Sequence, residues 1–307
     1  MSSVICVTGG AGFIGSHVAE ALVGAGHQVV IVDDLSSGRK ENVPDGAELA
    51  VCDVRSEEAA SLLVDRKVEI LVHHAAQMDV RRSVADPVFD ADVNILGMLN
   101  LLERARGGAL RQVVFASTGG AIYGEQDFSP ADESHPARPV SPYGVAKLAC
   151  ERYLFYYHVQ YGLDAVCLRY ANVYGPRQNP HGEAGVVAIF ARRLIDGGQP
   201  YIHGDGTQTR DYVYVGDVVA ANLAAVGRPG FAVYNVGTGV ETDVNVLYDR
   251  IASALRSDTQ AIHDDPQPGE QRRSCISSQL LKKELGVDVS TPLADGIATT
   301  AAWFREN

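Results

Sequence analysis

The stretch VTGGAGFIG, Val7 to Gly15, constrains the fold of this chain more than any other. Val4 to Val7 is a short apolar run, glycines follow at once, and from Phe13 to Leu22 the apolar residues recur with helical spacing. A strand turning this tightly into a helix, followed by a second apolar run at Val29 to Val32, has about the length of one βαβ crossover. Further strands read at Glu48 to Val51, Ile70 to His73, Gln112 to Ala116 and Ala165 to Leu168, with helical periodicity between them. Strands alternating with helices predict an α/β fold, a doubly wound parallel sheet covered on both faces.

Beyond about Tyr174 the texture changes to loops such as GPRQNPHGEAG and HGDGTQTRDY, with shorter elements and no Pro-rich or charged linker. The expected division is a dinucleotide-binding domain over 1–174 and a smaller α/β substrate domain over 175–307, with some strand and helix exchanged between them. The second should lie against the carboxyl ends of the sheet, where open α/β folds bind ligands. With 307 residues, a chain of this size buries roughly three quarters of its unfolded surface.

The glycines carry chemistry as well as shape. Gly10, Gly12 and Gly15 spell GxGxxG, and Gly9, Gly12 and Gly15 spell GxxGxxG. Either lets a backbone approach a pyrophosphate at a helix N-terminus, where N–H groups and the positive dipole end favour an anion. Asp33 ends the second strand, 18 residues beyond Gly15, placed to accept hydrogen bonds from a ribose. It would repel a 2′-phosphate, as would Asp34, so NAD is favoured over NADP.

SPYGVAKLACERY is the second signal. Ser141 and Pro142 begin a helix on which Tyr143 and Lys147, at i and i+4, share a face. A phenol with a reference pKa of ~10 is a poor base at neutrality. A neighbouring ammonium and a cationic nicotinamide would both favour the phenolate.

With TGGAGFIG, VDDLSSG, HHAAQ, FASTGGAIYG, SPYGVAK, RYANVYGPRQ and GDGTQTRDYVYVGDVV in order, the whole chain resembles the extended short-chain dehydrogenase/reductases. Within them it is similar to the nucleotide-sugar epimerases and dehydratases, and most to the bacterial UDP-glucose 4-epimerases. The resemblance implies a Rossmann fold, NAD as cofactor and a UDP-sugar substrate. It makes Thr118 the hydroxyl partner, Tyr143 the acid/base, and Lys147 the residue that lowers the phenol's pKa and holds the nicotinamide ribose. It places the cofactor against Gly9, Gly12, Phe13, Ile14, Gly15, Asp33, Asp34, Leu35, Ser36, Ser37, Gly38, Asp53, Val54, Ala75, Ala76, Gln77, Asn94, Ser117 and Tyr170 as well. The implied reaction passes hydride from the sugar's C4 to NAD and returns it to the other face.

On the sugar side the resemblance implies Asn172, Gly185, Val186, Val187, Tyr201, Ile202, His203, Val244 and Glu270, beside Thr118 and Tyr143. Arg210 in QTRDY offers a fork of donors suited to a phosphate. The family has Arg before PG[DE] where this chain has Gln267, which puts that diphosphate contact in doubt; Arg272 or Arg273 would have to compensate. Ser274 falls where a bulky Tyr would exclude an N-acetyl group, so UDP-N-acetylhexosamines should fit; the plainer alternative for Ser274 is a surface turn.

Dehydratases of the family follow the threonine with acidic residues that carry the elimination. Here Gly119, Gly120 and Ala121 follow Thr118, which favours epimerisation over dehydration and disfavours decarboxylation. The leading reading is a 4-epimerase of UDP-glucose and UDP-galactose. The alternatives are a UDP-glucuronate 4-epimerase, with Arg81 and Arg82 meeting the carboxylate, and an NAD-binding regulatory protein, which has no need of Thr118, Tyr143 and Lys147 together.

The net charge of −12 disfavours nucleic acid and anionic membranes. Five cysteines in an odd, scattered set read as buried thiols, and His73 and His74 as packing rather than metal ligands; no metal is expected. No apolar run reaches the ~20 residues needed to span a bilayer and Met1 to Gly9 does not resemble a signal peptide, so the chain reads as cytoplasmic. The segments Asp92 to Arg104 and Tyr143 to Tyr161 resemble the helix pair that forms homodimers in this family.

Overall fold

The computed structural model describes residues 2–180, 185–266 and 271–307. The strands read above form as β1 (Val4–Thr8), β2 (Gln28–Asp33), β3 (Ala47–Val51), β4 (Ile70–His73), β5 (Gln112–Thr118) and β6 (Asp164–Tyr170). After them come β7 (Asn172–Tyr174), β8 (Tyr201–His203), β9 (Thr209–Tyr214), β10 (Phe231–Val236), β11 (Glu241–Asp243), β12 (Ile262–Asp264) and β13 (Arg273–Ser274).

A seven-stranded parallel sheet runs in the order β10-β6-β5-β4-β1-β2-β3. The chain works outward from β1 to β3, then crosses over to β4 and works the other way. The reversal between β1 and β4 opens a crevice at the carboxyl ends of the strands. Both faces of the inner strands are buried, which is why β1, β2 and β4 read as apolar runs, while the edge strand β3 is only partly covered. Ile5, Val7, Ile31 and Val72 pack beneath the helices Phe13–Gly24 and Val215–Ala225. Cys6, Val32, Leu71, Val113 and Phe115 pack beneath Glu57–Asp65, Gly97–Ala105 and Pro142–Tyr161.

A second sheet is centred on β9, with β11 antiparallel on one side and β13 and β7 both parallel to it. A separate core of Phe190, Leu194, Tyr212, Leu247, Ile251, Ile297 and Phe304 supports it. Strand β10 and the helix Val215–Ala225 lie beyond residue 174 yet are built into the large sheet and its helical layer.

Candidate active site

At the glycine turn the helix Phe13–Gly24 begins at Gly12 with no side-chain cap. Elsewhere Ser56, Asp79, Ser141 and Asp243 cap their helices through hydrogen bonds. The first N–H groups of the glycine-turn helix are therefore left for a ligand. A Cβ on Gly15 would collide with the Gly9 carbonyl oxygen, so only glycine lets turn and helix come this close. Ala75, one of the expected cofactor neighbours, abuts Gly9 from the next strand end.

Asp33 is buried, its Oδ2 accepting the Ala11 N–H at 2.9 Å and its Oδ1 the Leu35 N–H at 2.9 Å. Burial raises its carboxyl pKa, against the pull of the Leu35 and Ala11 amides. Asp34 Oδ1 accepts from both the N–H and Oγ of Ser36, folding Leu35 to Gly38 back so that Gly38 lies on the Asp33 carboxylate. Asp53 is gripped by Arg55, which also reaches Asp92, and Val54 is buried beside it. An uncapped helix start, a cradle that a side chain would fill and a carboxylate at the second strand end together suit a dinucleotide.

Ser141 Oγ accepts the Gly144 N–H at 3.2 Å, starting the helix Pro142–Tyr161. Tyr143, Lys147 and Cys150, at i, i+4 and i+7, share one face. Lys147 is buried; its Nζ donates to the Ala116 carbonyl at 2.9 Å, 4.8 Å from the Phe115 ring centroid and 5.8 Å from that of Tyr143. Burial lowers its pKa to about 8, with Cys150 and Asp90 pulling the other way. The Tyr143 phenol is pushed up, by burial first and then by the Asp90 charge. The expected lowering of that phenol by Lys147 is therefore not found in the protein alone: losing water disfavours the phenolate more than an ammonium turned toward Ala116 favours it.

Thr118 Oγ1 accepts the Ala121 N–H at 3.2 Å, and Gly144 packs against the Ala121 carbonyl, bringing the Tyr143 turn beside the Thr118 turn. A Cβ on Gly119 would lie 2.5 Å from Ile276 Cδ1, so no side chain fits directly after Thr118. A Cβ on Gly120 would instead stand in ordinary contact, 3.9 Å from each of Thr118 Oγ1, Asn172 Oδ1 and Ser274 Oγ. Three residues from three strands thus ring one spot. Ser274 is buried on β13 opposite Arg210 on β9, which overturns the surface-turn alternative.

Several expected cofactor contacts spend their side chains inside the protein. Ser117 Oγ donates to Glu151 Oε1 at 2.6 Å. Asn94 Oδ1 accepts the Gln77 N–H, and its Nδ2 donates to the Gln77 carbonyl and to Asp90 Oδ1. Gln77 Nε2 donates to the Asp79 carbonyl and to Asp90 Oδ1. The Tyr170 hydroxyl lies 2.8 Å from Asn222 Nδ2 and 3.2 Å from His74 Nε2. Each of these side chains thus has a partner inside the protein that fixes its direction; Ala76, between Ala75 and Gln77, is half-buried at the same strand end. His73 bonds Thr8 Oγ1 at 2.7 Å, and burial, then Lys147, hold both adjacent histidines neutral with pKa values of about 3. Among the described residues no cluster could hold a metal ion.

The sequence reading missed the pair beneath Ser117. Glu151 and Arg169 form a buried bidentate bridge at 2.9 and 2.7 Å, and Arg169 Nη1 donates to the Tyr123 hydroxyl at 2.9 Å. The available signal was Arg169 itself, a cation inside an apolar strand, which demands a partner.

Farther out, Gly185 precedes the helix Val186–Ile195, with Val187 in the second core. Tyr201, Ile202 and His203 form β8, paired with β12 rather than with the β9 sheet, and Val244 begins the helix Val244–Leu255. Arg210 Nη1 donates to the Thr209 carbonyl at 2.8 Å. Arg273 is held by Glu241 through Nε and Nη2, which disfavours its standing in for the missing arginine; Arg272 lines a small cleft with Glu125 and Gln126. The Arg82 guanidinium sits 4.1 Å from the Phe89 ring centroid, exposed, and gives no support to a sugar-carboxylate role. Gln267 and Glu270 lie outside the described residues.

Residues 5–237 match the NAD dependent epimerase/dehydratase family. A UDP-glucose 4-epimerase of Mycolicibacterium smegmatis is 46% identical, with 97% of each chain covered. Among solved structures, a Thermotoga maritima UDP-glucose 4-epimerase with UDP-glucose aligns at TM-score 0.96 and 43% identity, covering 99% of each chain. A Thermus thermophilus UDP-glucose 4-epimerase in complex with NAD aligns at 0.93 and 44%, covering 98% of this chain and 99% of that one. With the glycine cradle, the Tyr143–Lys147 helix face and the Thr118 turn all in place, this chain belongs to the NAD dependent epimerase/dehydratase family.

Proposed function

We propose that this protein is a UDP-hexose 4-epimerase that interconverts UDP-glucose and UDP-galactose with NAD held at the glycine turn, and that it also accepts the N-acetylated hexoses. The observation that carries this reading is the ring of Thr118, Asn172 and Ser274 around Gly120, beside Tyr143 and with no acid after Thr118. Tyr143 takes the proton of the sugar's 4-hydroxyl and later returns it, and Thr118 hydrogen-bonds the same oxygen. Lys147 supplies the positive charge on that helix face. NAD, when bound, accepts the C4 hydride and gives it back. A 4-keto sugar then leaves the site only by reduction, because Gly119 and Gly120 offer no group to drive elimination. The names of the relatives described above support the substrate and the cofactor.

The residue roles follow the same reading. The glycine turn, Asp33 and the folded-back loop to Gly38 hold the dinucleotide; Asn172 and Arg210 hold the diphosphate; Gly185 to Val187 and Tyr201 to His203 hold the nucleoside. The division into 1–174 and 175–307, with Val215–Ala225 and β10 exchanged, assigns cofactor and sugar to different units. The chain acts as a homodimer: Leu96, Val145, Tyr153, Phe155, Tyr156 and Val159 leave a broad apolar surface exposed on the helices near 92–105 and 142–161. We place it in the cytoplasm, in keeping with five buried free cysteines and, among the described residues, no helix long and apolar enough to cross a membrane.

Purified protein incubated with UDP-glucose, UDP-N-acetylglucosamine and UDP-glucuronate, with products separated by chromatography, tests the reading. The expected result is conversion of the first two without added oxidant, and release of nicotinamide nucleotide on denaturation. Conversion of UDP-glucuronate alone, or of none, overturns it.

A further inference from the structure

Lys147 is a buried cation with little to hold it. Its Nζ donates to the Ala116 carbonyl, and among the described residues no carboxylate pairs with it. An ammonium kept from water on one neutral hydrogen bond is costly unless something else favours its charge. The aromatic ring nearest to it is Phe115. Successive residues of β5 point to opposite faces, so Val113, Phe115 and Ser117 all turn toward the helix Pro142–Tyr161. Val113 and Phe115 share a core with Cys150 and Leu154 of that helix, and Ser117 Oγ donates to its Glu151. The Phe115 ring is 1% exposed and nearly parallel to that of His73, at 17° with centroids 6.0 Å apart; His73 is itself fixed on Thr8 Oγ1. Lys147 Nζ lies over the Phe115 ring, 4.8 Å from its centroid. The Tyr143 ring, at 5.8 Å, stands near the ~6 Å limit within which a ring face attracts a cation.

We propose that Phe115 is a positioning residue for the reaction: through a cation–π contact its ring face holds the Lys147 ammonium charged and fixed beside Tyr143. This role rests on the epimerase reading, which gives Lys147 its part. The negative face of the ring meets the ammonium on one side, and the Ala116 carbonyl takes one of its three N–H donors, which leaves donors for a bound dinucleotide. A buried contact of this kind is the strong kind, because no water competes for the cation. The other charges around Lys147 do not replace it. Burial lowers the lysine's pKa to about 8, against Cys150 and Asp90, and Asp90 is bonded to Gln77 and Asn94 with its own carboxyl raised by burial. His73 and His74 on β4 are neutral, and Glu151 is taken up by Arg169 of β6 and by Ser117. Arg81 and Arg82 are exposed, Arg82 on the Phe89 ring, Asp86 caps its helix, and Asp92 is bonded by Arg55. The helix Gly119–Ile122 carries no ionisable side chain.

Fluorine on the rim of a phenyl ring drains its negative face and leaves its shape almost unchanged, so the contact can be weakened without disrupting the core. Mono-, di- and trifluorophenylalanine are placed at position 115 of the full chain. Lys147 is followed by NMR in lysine-labelled protein at one NAD occupancy, its resonance assigned by its absence from Lys147→Met. The ammonium should titrate at progressively lower pH as fluorines are added, and about one pH unit lower in Phe115→Leu than in the wild type. The alkaline limb of the pH–rate profile should step down in the same order, because a weaker ring face lets Lys147 lose its proton sooner. A phenylalanine that merely fills the core would leave the fluorinated proteins titrating like the wild type, and that result overturns the proposal even where Phe115→Leu fails to fold. An alkaline limb that stays in place while the Lys147 titration moves overturns it too, since the contact would then have no bearing on the reaction. The titration uses no substrate, so an unmoved Lys147 decides against Phe115 whatever the UDP-sugar panel has shown of the epimerase reading.

Discussion

Replacing Glu151 by Gln tests whether the buried ion pair beneath Ser117 supports the site or merely occupies it. Glu151 and Arg169 have side chains only 2% and 6% exposed, so neither charge can turn to water once the other is gone. The carboxylate accepts three hydrogen bonds, from Ser117 Oγ and from Arg169 Nε and Nη2. An amide can accept at one atom only, and its NH2 would face donors of Arg169 or Ser117. Breaking a buried pair on one side costs about 3–5 kcal/mol, because an uncompensated charge remains. At roughly 2 °C per kcal/mol for a chain this large, the midpoint of thermal unfolding should fall by about 6–10 °C. The comparison is made at one protein concentration with saturating NAD, since ligand and partner both shift the midpoint. The double substitution Glu151→Leu with Arg169→Met removes both charges and should recover more than half of the loss. A single variant that melts within 1 °C of the wild type, or a double variant less stable than Glu151→Gln, would refute the reasoning.

Tyr143→Phe removes the proton acceptor and keeps the ring, so kcat should fall by about 10²-fold or more while calorimetric binding of UDP-glucose is kept; near-normal turnover would remove Tyr143 from its proposed role. Ser274→Tyr would overpack the ring around Gly120, at ~1–3 kcal/mol, and should cut activity on the N-acetylated sugar by roughly 5- to 150-fold, with UDP-glucose much less affected; equal losses on both sugars would count against a gate there. Lys147, lowered by burial to about 8 from 10.5, is charged below that range and loses its proton as pH rises through about 8 in the folded protein, before it does in the unfolded chain. Between those values the unfolded chain binds more protons, so this group makes stability rise with pH while activity falls; a rate still flat at about pH 10 would contradict the assignment. Sedimentation at micromolar concentration should show a dimer, and replacing Phe155 and Tyr156 with Ser should yield monomer; a wild type that sediments only as monomer defeats the proposed interface.

What could be read from the chain beforehand was whatever local pattern determines. Strands buried on both faces betray themselves as apolar runs, and the Gly-rich turn is forced by a contact between residues six apart, Gly9 and Gly15. The seventh strand escaped because Phe231–Val236 looks like any short strand, and only its pairing with β6, more than sixty residues earlier, places it in the large sheet. Asn94 and Ser117 carry the right chemistry for a ligand, while the internal partners that fix their side chains, here Gln77 and Glu151, are ones that sequence spacing does not supply.

The same limit applies to the proton chemistry. Spacing puts Tyr143 and Lys147 on one face and suggests an activated phenol, yet the ammonium is turned to the Ala116 carbonyl and burial drives the phenol upward. A site poised this way has a consequence for the reaction. With the phenol held neutral by burial, proton removal by Tyr143 would wait on a positive charge beside it, which a nicotinamide would supply. Catalytic competence is then a property of the loaded protein, which suits a reaction whose cofactor must end each cycle in the form in which it began.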